Sequence, residues 1–292
     1  IEKKPLNHYY PGSSVFSFGT AGCNLACKFC QNWDISKSRE MDSLMSIAGP
    51  EKIAQRAAEL DCLSVAYTYN DPVIFHEYAI DTAIACRELG IKSVSVSAGY
   101  VCPEPRAEFY QHMDAANIDL KAFTENFYHK LTGSHLAPVL DTLIYLQHET
   151  SVWLELTTLI IPGENDSRKE LEKMTQWVVE NLGNDVPMHF TAFHPDWKMQ
   201  DTPSTQASSL LMAREIALKN GVHYAYVGNV HDKAADSTYC HACGQLLIGR
   251  DWYQLSDWNL TESGACTACG TQCAGHFAAK PGDWGAKRMS IK

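Results

Sequence analysis

The chain has 292 residues, 45% apolar and 20% charged, with a formal net charge of −10. That length suits one sizeable α/β domain plus a small appendage, and the composition is that of a soluble globular protein. The negative charge argues against a nucleic-acid partner, whose affinity rests on clustered Lys and Arg. No apolar run approaches the roughly 20 residues of a membrane-spanning helix, so no membrane association is expected. The opening Ile1-Glu2-Lys3-Lys4-Pro5 lacks the apolar core of a secretory signal, and the missing initiator Met reads as a processed or trimmed chain. The expected location is cytoplasmic.

Strand-like and helix-like segments alternate along the chain. The predicted strands are Val15–Ala21, Leu63–Asn70, Lys92–Gly99, Asn117–Phe123, Val152–Ile161 and Val186–His194. Between them fall predicted helices at Glu51–Leu60, Val73–Leu89, Glu104–Met113, Leu136–Gln147 and Ser167–Asn181. A seventh pair follows, with a helix near Gln206–Asn220 and a strand at His223–Val230. Ser93-Val94-Ser95-Val96-Ser97 alternates with period two, as a strand does. Leu171, Met174, Val178 and Leu182 mark one helix face, with Ser167 and Glu170 forming a capping box and Gly183 a stop. Repeated strand–helix units imply a parallel sheet with right-handed crossovers and chemistry at the carboxyl ends of its strands. Beyond about Val230 helical periodicity vanishes and Cys, Gly and aromatics rise, which places a boundary near Asp232–Thr238. The expected domains are 1–231 and 232–292.

Eleven cysteines are present, three within 23–30 and five within 240–273. Such clustering, without secretion signals, points to metal binding and not to disulfides. Cys62, Cys86 and Cys102 read as buried inert thiols. Cys23, Cys27 and Cys30 form C-x₃-C-x₂-C directly after the first predicted strand. Three thiolates on a short loop suit three irons of a cubane cluster, leaving the fourth iron open to bind a substrate. Phe29 would shield the cluster or stack near a bound adenine. The competing reading is half of a zinc site, but zinc knuckles normally come as a pair at a two- or four-residue gap with a second pair elsewhere, whereas three cysteines at these gaps after strand one are more specific.

C-x₃-C-x-aromatic-C resembles the signature of radical S-adenosylmethionine (SAM) enzymes. Further segments resemble the pyruvate formate-lyase-activating group and, within it, the radical SAM component of the AmmeMemoRadiSam system. They are GCNLACKFCQNWDIS from Gly22, YTYNDP from Tyr67, SAGYVCP from Ser97, IDLKAF from Ile118, LTGSH from Leu131, TLIIPGEN from Thr158 and HFTAFHPDWK from His189. The resemblance covers roughly residues 10–230. It implies a partial (β/α)6 TIM-like barrel and a [4Fe–4S] cluster whose open iron is chelated by SAM. It also implies a low-potential electron donor such as flavodoxin or ferredoxin. Members of that family carry a further Cys-containing segment upstream of where this chain starts.

Candidates for the rest of the SAM pocket lie at predicted strand ends. Asn70 and Asp71 are suitable acceptors for the methionine ammonium; Asp71 before Pro72 also suits a helix N-cap. Ser97 is placed to reach the ribose and Gly99 permits close approach, though a plain turn explains both. Asn117, Asp119 and Lys121 alternate with Ile118 and Leu120, putting three polar groups on one face. They line a polar lumen or, alternatively, form an ion pair on a solvated edge strand. Thr157 and Thr158 offer a contact near adenine or are ordinary strand residues. His194, before Pro195, lies at the mouth, where the resemblance puts it near the SAM ribose; His189 is the weaker candidate, and His135 has no assigned role.

Cys240-x₂-Cys243-Gly and Cys266-x₂-Cys269-Gly are two knuckles of a zinc-ribbon or rubredoxin-like module, a closed structural site for zinc or iron. A second Fe–S cluster is the third option there. Cys273 is surplus. Metal would supply most of this module's folding energy. The reaction so read is reductive cleavage of SAM to methionine and a 5′-deoxyadenosyl radical, which takes hydrogen from a substrate. The AmmeMemoRadiSam resemblance implies two partner proteins and a peptide or protein side chain as target. The rival readings are a glycyl-radical-enzyme activase and a non-catalytic zinc-ribbon adaptor.

Overall fold

The structure is a computed structural model that describes residues 1–37 and 47–289. In chain order the elements are β1 Val15–Phe18, α1 Trp33–Ser36, α2 Pro50–Glu59, β2 Ser64–Tyr67, α3 His76–Glu88, β3 Lys92–Ser97, α4 Pro103–Tyr110, β4 Ala115–Asp119 and α5 Glu125–Phe127. They continue with α6 Leu136–Glu149, β5 Trp153–Ile160, α7 Arg168–Leu182, β6 Met188–Ala192, α8 Ala207–Lys219, β7 Ala225–Gly228, α9 Lys233–Asp236, β8 Thr238–Tyr239, β9 Leu246–Asp251 and β10 Gln254–Trp258. A 3₁₀ turn at Pro72–Phe75 opens α3, and a π-helical turn at Tyr128–Thr132 follows α5. Among the described residues no helix is long and apolar enough to cross a membrane.

The first seven strands form one sheet in the order β1-β2-β3-β4-β5-β6-β7. This is one strand more than a (β/α)6 array, because the seventh predicted pair joins it. Its strands pair in parallel from β1 to β4 and again from β5 to β7. The chain divides into two compact units. One holds Ser14–Leu154 with His194–Pro203; the other holds Ile1–Ser13, Glu155–Phe193 and the chain from Ser204 onward.

In the first unit, β3 shows what period two means in a parallel sheet. Val94 is fully buried, yet Ser93, Ser95 and Ser97 are buried as well. The alternation separates an apolar side from a hydroxyl-bearing side, both covered, as parallel strands usually are. The predicted edge-strand alternative for β4 does not hold, since β4 lies inside the sheet order and Asn117 is fully buried. β4 also ends earlier than expected, at Asp119, because Leu120 N turns back to Ile118 O at 3.1 Å. Among the extra cysteines, Cys86 is buried and Cys62 half-buried. Cys102 is exposed, against expectation, because it stands at the N-cap of α4 outside the helix.

In the second unit, Ser167 caps α7 by accepting from Glu170 N, and Gly183 ends it with φ +93°. Leu171, Met174 and Val178 are fully buried and Leu182 nearly so, each contributing about 1.5–3 kcal/mol relative to exposure. Tail strands β8, β9 and β10 make an antiparallel sheet in the order β10-β9-β8. Its Leu247, Ile248, Leu260, Cys240, Cys266 and Cys273 cluster with Tyr224 and Tyr226.

A buried polar chain runs through this unit. Arg250, 2% exposed, donates to Thr238 Oγ1 at 2.7 Å and to Asn7 O at 2.8 Å. Tyr226 Oη meets Thr238 Oγ1 at 2.8 Å and His8 Nε2, while His8 Nδ1 lies 2.6 Å from Ala274 O. Burial pushes the His8 imidazole down to about 4 despite the Glu155 carboxylate, so the neutral ring sits here. A neutral ring donates through one nitrogen and accepts through the other, which fits Ala274 O and Tyr226 Oη. Glu155, fully buried, accepts from Asn7 N at 3.0 Å, His8 N at 2.8 Å and the His189 ring at 2.7 Å.

Replacing Glu155 by Ala strands those donors. The substitution should cost several kcal/mol in urea unfolding, about 1–3 kcal/mol for each buried donor left without its acceptor. Glu155→Gln should lose less. A change within about 1 kcal/mol for Glu155→Ala contradicts this account of the N-terminal segment.

Candidate functional site

The loop after β1 carries Cys23, Cys27 and Cys30, all with free thiols. It is held on two flanks. On one, Asn70 accepts from Thr20 N at 3.1 Å and donates to Thr20 Oγ1 at 3.2 Å and Gly22 O at 2.8 Å. On the other, Ala26 N donates to Thr132 O and Lys28 N to Leu131 O, both at 2.8 Å, so that Cys27 is flanked by two backbone bonds. Lys37 Nζ caps Leu25 O at 2.6 Å, and Cys30 Sγ meets Ser36 Oγ at 3.0 Å. Burial pushes the Cys27 thiol up to about 11, and Lys121 draws it back down. The nearby Cys23 and Cys30 thiols push it further up. Phe29 is buried against Phe127, ring centroids 5.7 Å apart, and forms an apolar floor.

The LTGSH segment supplies the second flank. Thr132 Oγ1 donates to Tyr128 O at 2.6 Å within the π-helical turn, a feature common at functional sites. Gly133 closes the turn at φ +70°, and a Cβ there would stand 3.3 Å from Ala26 Cβ. His135 pairs with Glu125, which also accepts from Leu136 N at 3.0 Å. His135 thus fastens the end of this turn, the part that the sequence left unassigned.

The other candidates in this unit interlock. Asp71, buried, accepts from Val73 N at 3.2 Å, Ser97 Oγ at 3.0 Å and Ala98 N at 2.9 Å. It is therefore the N-cap of the 3₁₀ turn and a tie to the end of β3. Burial raises its pKa, and these hydrogen bonds oppose the rise. Ser97 Oγ also accepts from Gly99 N at 3.0 Å. Gly99 has φ +65°, and a Cβ there would meet Ile118 Cγ2 at 2.9 Å, so the close approach at this glycine comes from the core. Lys121 lies beyond β4, with its amide donating to Tyr128 Oη at 3.1 Å. Its ammonium still reaches Asp119 Oδ2 at 2.7 Å. Burial would lower the Lys121 pKa, but Asp119 and Cys27 more than reverse it and hold the ammonium charged. His194 is exposed, 4.0 Å from Asp196 Oδ2. Thr158 belongs to the other unit, where its Oγ1 lies 3.6 Å from Met174 Sδ.

Two aromatic residues that sequence reasoning missed flank the loop in strained conformations. Tyr69 has φ +74° and Trp197 φ +47°, values uncommon outside glycine and concentrated at functional sites. Asp196 Oδ1 accepts from Trp197 N at 2.7 Å and from Trp33 Nε1 at 2.9 Å. No pattern in the sequence marks that pairing, although both tryptophans fall in motif segments.

In the other unit, the ligand atoms of Cys240, Cys243, Cys266 and Cys269 lie within 4.8 Å of one another. The Cys240–Cys269 and Cys243–Cys266 sulfur distances are 3.6 and 3.8 Å. A tetrahedron with metal–sulfur bonds of ~2.3 Å has edges of about 3.8 Å, so the group can hold a metal ion. The knuckles match: Gly244 N returns to Cys240 O and Gly270 N to Cys266 O, both at 2.9 Å. Bonds with Thr271 bring the Cys269 thiol down to about 6. Cys273, buried 3.8 Å from His8 Nδ1, stays outside this four-sulfur group.

The family profile of the radical SAM superfamily matches residues 18–177. An uncharacterised protein of Methanocaldococcus jannaschii is 39% identical over 271 residues, covering 92% of this chain and 80% of that one. The pyruvate formate-lyase-activating enzyme of Clostridium pasteurianum is 23% identical over 179 residues, 59% of this chain and 72% of its own. Among solved structures, Streptococcus suis SuiB bound to S-adenosylmethionine aligns with a TM-score of 0.60 at 14% identity, over 79% of this chain and 53% of that one.

Gly133→Ala adds both left-handed strain and a collision with Ala26, whereas Gly163, at φ +79° with nothing within 4 Å, adds strain alone. After anaerobic reconstitution with iron and sulfide, Gly133→Ala should bind clearly less iron than Gly163→Ala. Equal loading of the two would show that the turn does not hold the cysteine loop.

Proposed function

The chain belongs to the radical SAM superfamily, and from that premise we propose that it is an enzyme in which Cys23, Cys27 and Cys30 hold a [4Fe–4S] cluster that cleaves SAM. The observation that carries the reading is the three-thiol loop after β1, fastened on both flanks by backbone and side-chain bonds. Three thiols on one turn are the donor set of a cluster with one iron left for another ligand. A cluster held by Cys23, Cys27 and Cys30 would supply the low-potential electron for reductive cleavage of SAM to methionine and a 5′-deoxyadenosyl radical.

The protein's own residues position and exclude. Phe29 and Phe127 keep water from the floor of the loop. Asp119 and Lys121 present a paired carboxylate and ammonium beside Cys27, complementary to the charged methionine end of SAM. Asn70, Asp71, Ser97 and Gly99 complete the strand-end rim, with His194 at the mouth. Residues 1–231 form the catalytic part in this reading. In residues 232–292, Cys240, Cys243, Cys266 and Cys269 hold a structural zinc.

The target is a peptide or protein side chain, met together with two partner proteins as in the AmmeMemoRadiSam system. The kinship to the Clostridium pasteurianum enzyme, named as an activating enzyme, favours one second reading. In it the target is a glycine of a glycyl-radical enzyme.

Anaerobic reconstitution with SAM and a strong reductant should yield 5′-deoxyadenosine, and Cys→Ala at position 23, 27 or 30 should abolish it together with the cluster absorbance. Full cleavage by all three variants would sink the assignment. The tail makes a separate prediction. Brief air exposure should remove iron and leave about one zinc per chain, since a closed four-thiolate shell is air-stable. Cys240→Ser should release that zinc and raise protease sensitivity of the tail while the iron stays. Extra iron and sulfide on these four cysteines would instead make the tail an electron relay.

A further inference from the structure

Three consecutive residues at the end of α1 grip the cysteine loop. Ile35 O accepts from Gly22 N at 3.1 Å, Ser36 Oγ meets Cys30 Sγ at 3.0 Å, and Lys37 Nζ donates to Leu25 O at 2.6 Å. The middle contact differs in kind, because it reaches a sulfur and not the backbone. Ser36 N donates to Asn32 O at 2.8 Å, so the serine is fixed by its own helical turn. It is 4% exposed. Among the described residues its hydroxyl makes one bond, the one to Cys30.

Between a thiol and a hydroxyl either atom can donate. A cysteine that ligates iron is a thiolate, which has no proton and only accepts. The proton of this bond then comes from Ser36 Oγ, and among the described residues no other acceptor competes for it. Cys23 is placed differently. Its Sγ lies 3.7 Å from Asn24 Oδ1, an acceptor, while the Asn24 amide nitrogen is committed to Tyr100 O at 3.0 Å. Once deprotonated, the Cys23 sulfur faces an oxygen where the Cys30 sulfur faces a donor.

Reduction by one electron adds one negative charge to a thiolate-ligated cluster. A hydrogen bond to a ligand sulfur strengthens as that sulfur gains charge, so it favours the reduced state and raises the potential. Burial of Ser36 shields the bond from competing water. We propose that Ser36 donates a hydrogen bond to the Cys30 thiolate and thereby sets the reduction potential of the cluster above the value that the three cysteines alone would give it. The inference rests on the [4Fe–4S] reading and adds a tuning residue to it. It also gives the short helix α1 a task beyond packing, since its last turn carries the donor to the sulfur.

The test is an anaerobic redox titration of the reconstituted protein without SAM, with the reduced cluster read by its EPR signal. At a fixed low potential Ser36→Ala should lower the ratio of reduced to oxidised cluster roughly tenfold, about 59 mV for one electron. The ratio is read on the molecules that hold a cluster, so partial loss of iron does not hide the shift. Ser36→Thr keeps the hydroxyl and should return the ratio to near the wild-type value. Resonance Raman should show the iron–thiolate stretch moved to higher frequency in Ser36→Ala and restored in Ser36→Thr. An unshifted midpoint in Ser36→Ala overturns the proposal. If iron content falls as well, Ser36 is a structural tie and nothing more. A midpoint lowered equally in both variants overturns it too, because the hydroxyl is then not the cause. A wild-type protein that forms no reducible cluster overturns the [4Fe–4S] reading instead.

Discussion

The two amide bonds on either side of Cys27 are the constraint on which the site depends. A loop that presents three thiols is a poor structure by itself: it is short and has no ladder partners of its own. Ala26 N and Lys28 N find theirs in Thr132 O and Leu131 O. Those carbonyls belong to the last two residues of the π-helical turn Tyr128–Thr132, where helix C=O groups have no intrahelical partner. Gly133 then takes the left-handed conformation that ends such a turn, close against Ala26. The loop and the turn are therefore one unit of structure, although they lie a hundred residues apart in sequence.

Buried carboxylates organise each unit in the same way. Asp71 gathers Val73 N, Ser97 Oγ and Ala98 N; Glu155 gathers Asn7 N, His8 N and the His189 ring. A buried anion is costly unless it is satisfied, and amides that converge on it are fixed in return. Each thus adds ties beyond the strand ladders, Asp71 past the paired ends of β2 and β3 and Glu155 from β5 to the N-terminal segment.

Much of the frame was legible. Hydrophobic periodicity located β1 to β7 and the large helices, because core-facing residues recur at helical or strand spacing whatever their partners. The Ser167 cap and the buried face of α7 are local signals and were read as such. The C-x₃-C-x₂-C loop and the paired knuckles were legible because metal chemistry limits ligand spacing. What escaped was long-range. Nothing in the sequence shows that Asn70 grips Gly22, that Asp196 receives both Trp33 and Trp197, or that the tail's apolar residues share a core with Tyr224 and Tyr226. The end of β4 was misplaced because alternation continues through Lys121 in the sequence, while the backbone already turns at Leu120.

The hydrogen-bond capacity left over decides what each rim residue can still offer a ligand. A carboxylate has about four acceptor sites, and Asp71 uses three of them among the described residues. It can take one more donor, such as an ammonium, but has no freedom to reorient. Asn70 has both amide hydrogens committed and keeps one lone pair of its carbonyl oxygen, so it too can only accept. Ser97 has given its proton to Asp71. Rim residues that can accept and not donate suit the cationic end of an amino acid and disfavour its carboxylate. On the proposed reading a carboxylate finds its donor elsewhere, and Lys121, held charged by Asp119 and Cys27, is a group that can supply it.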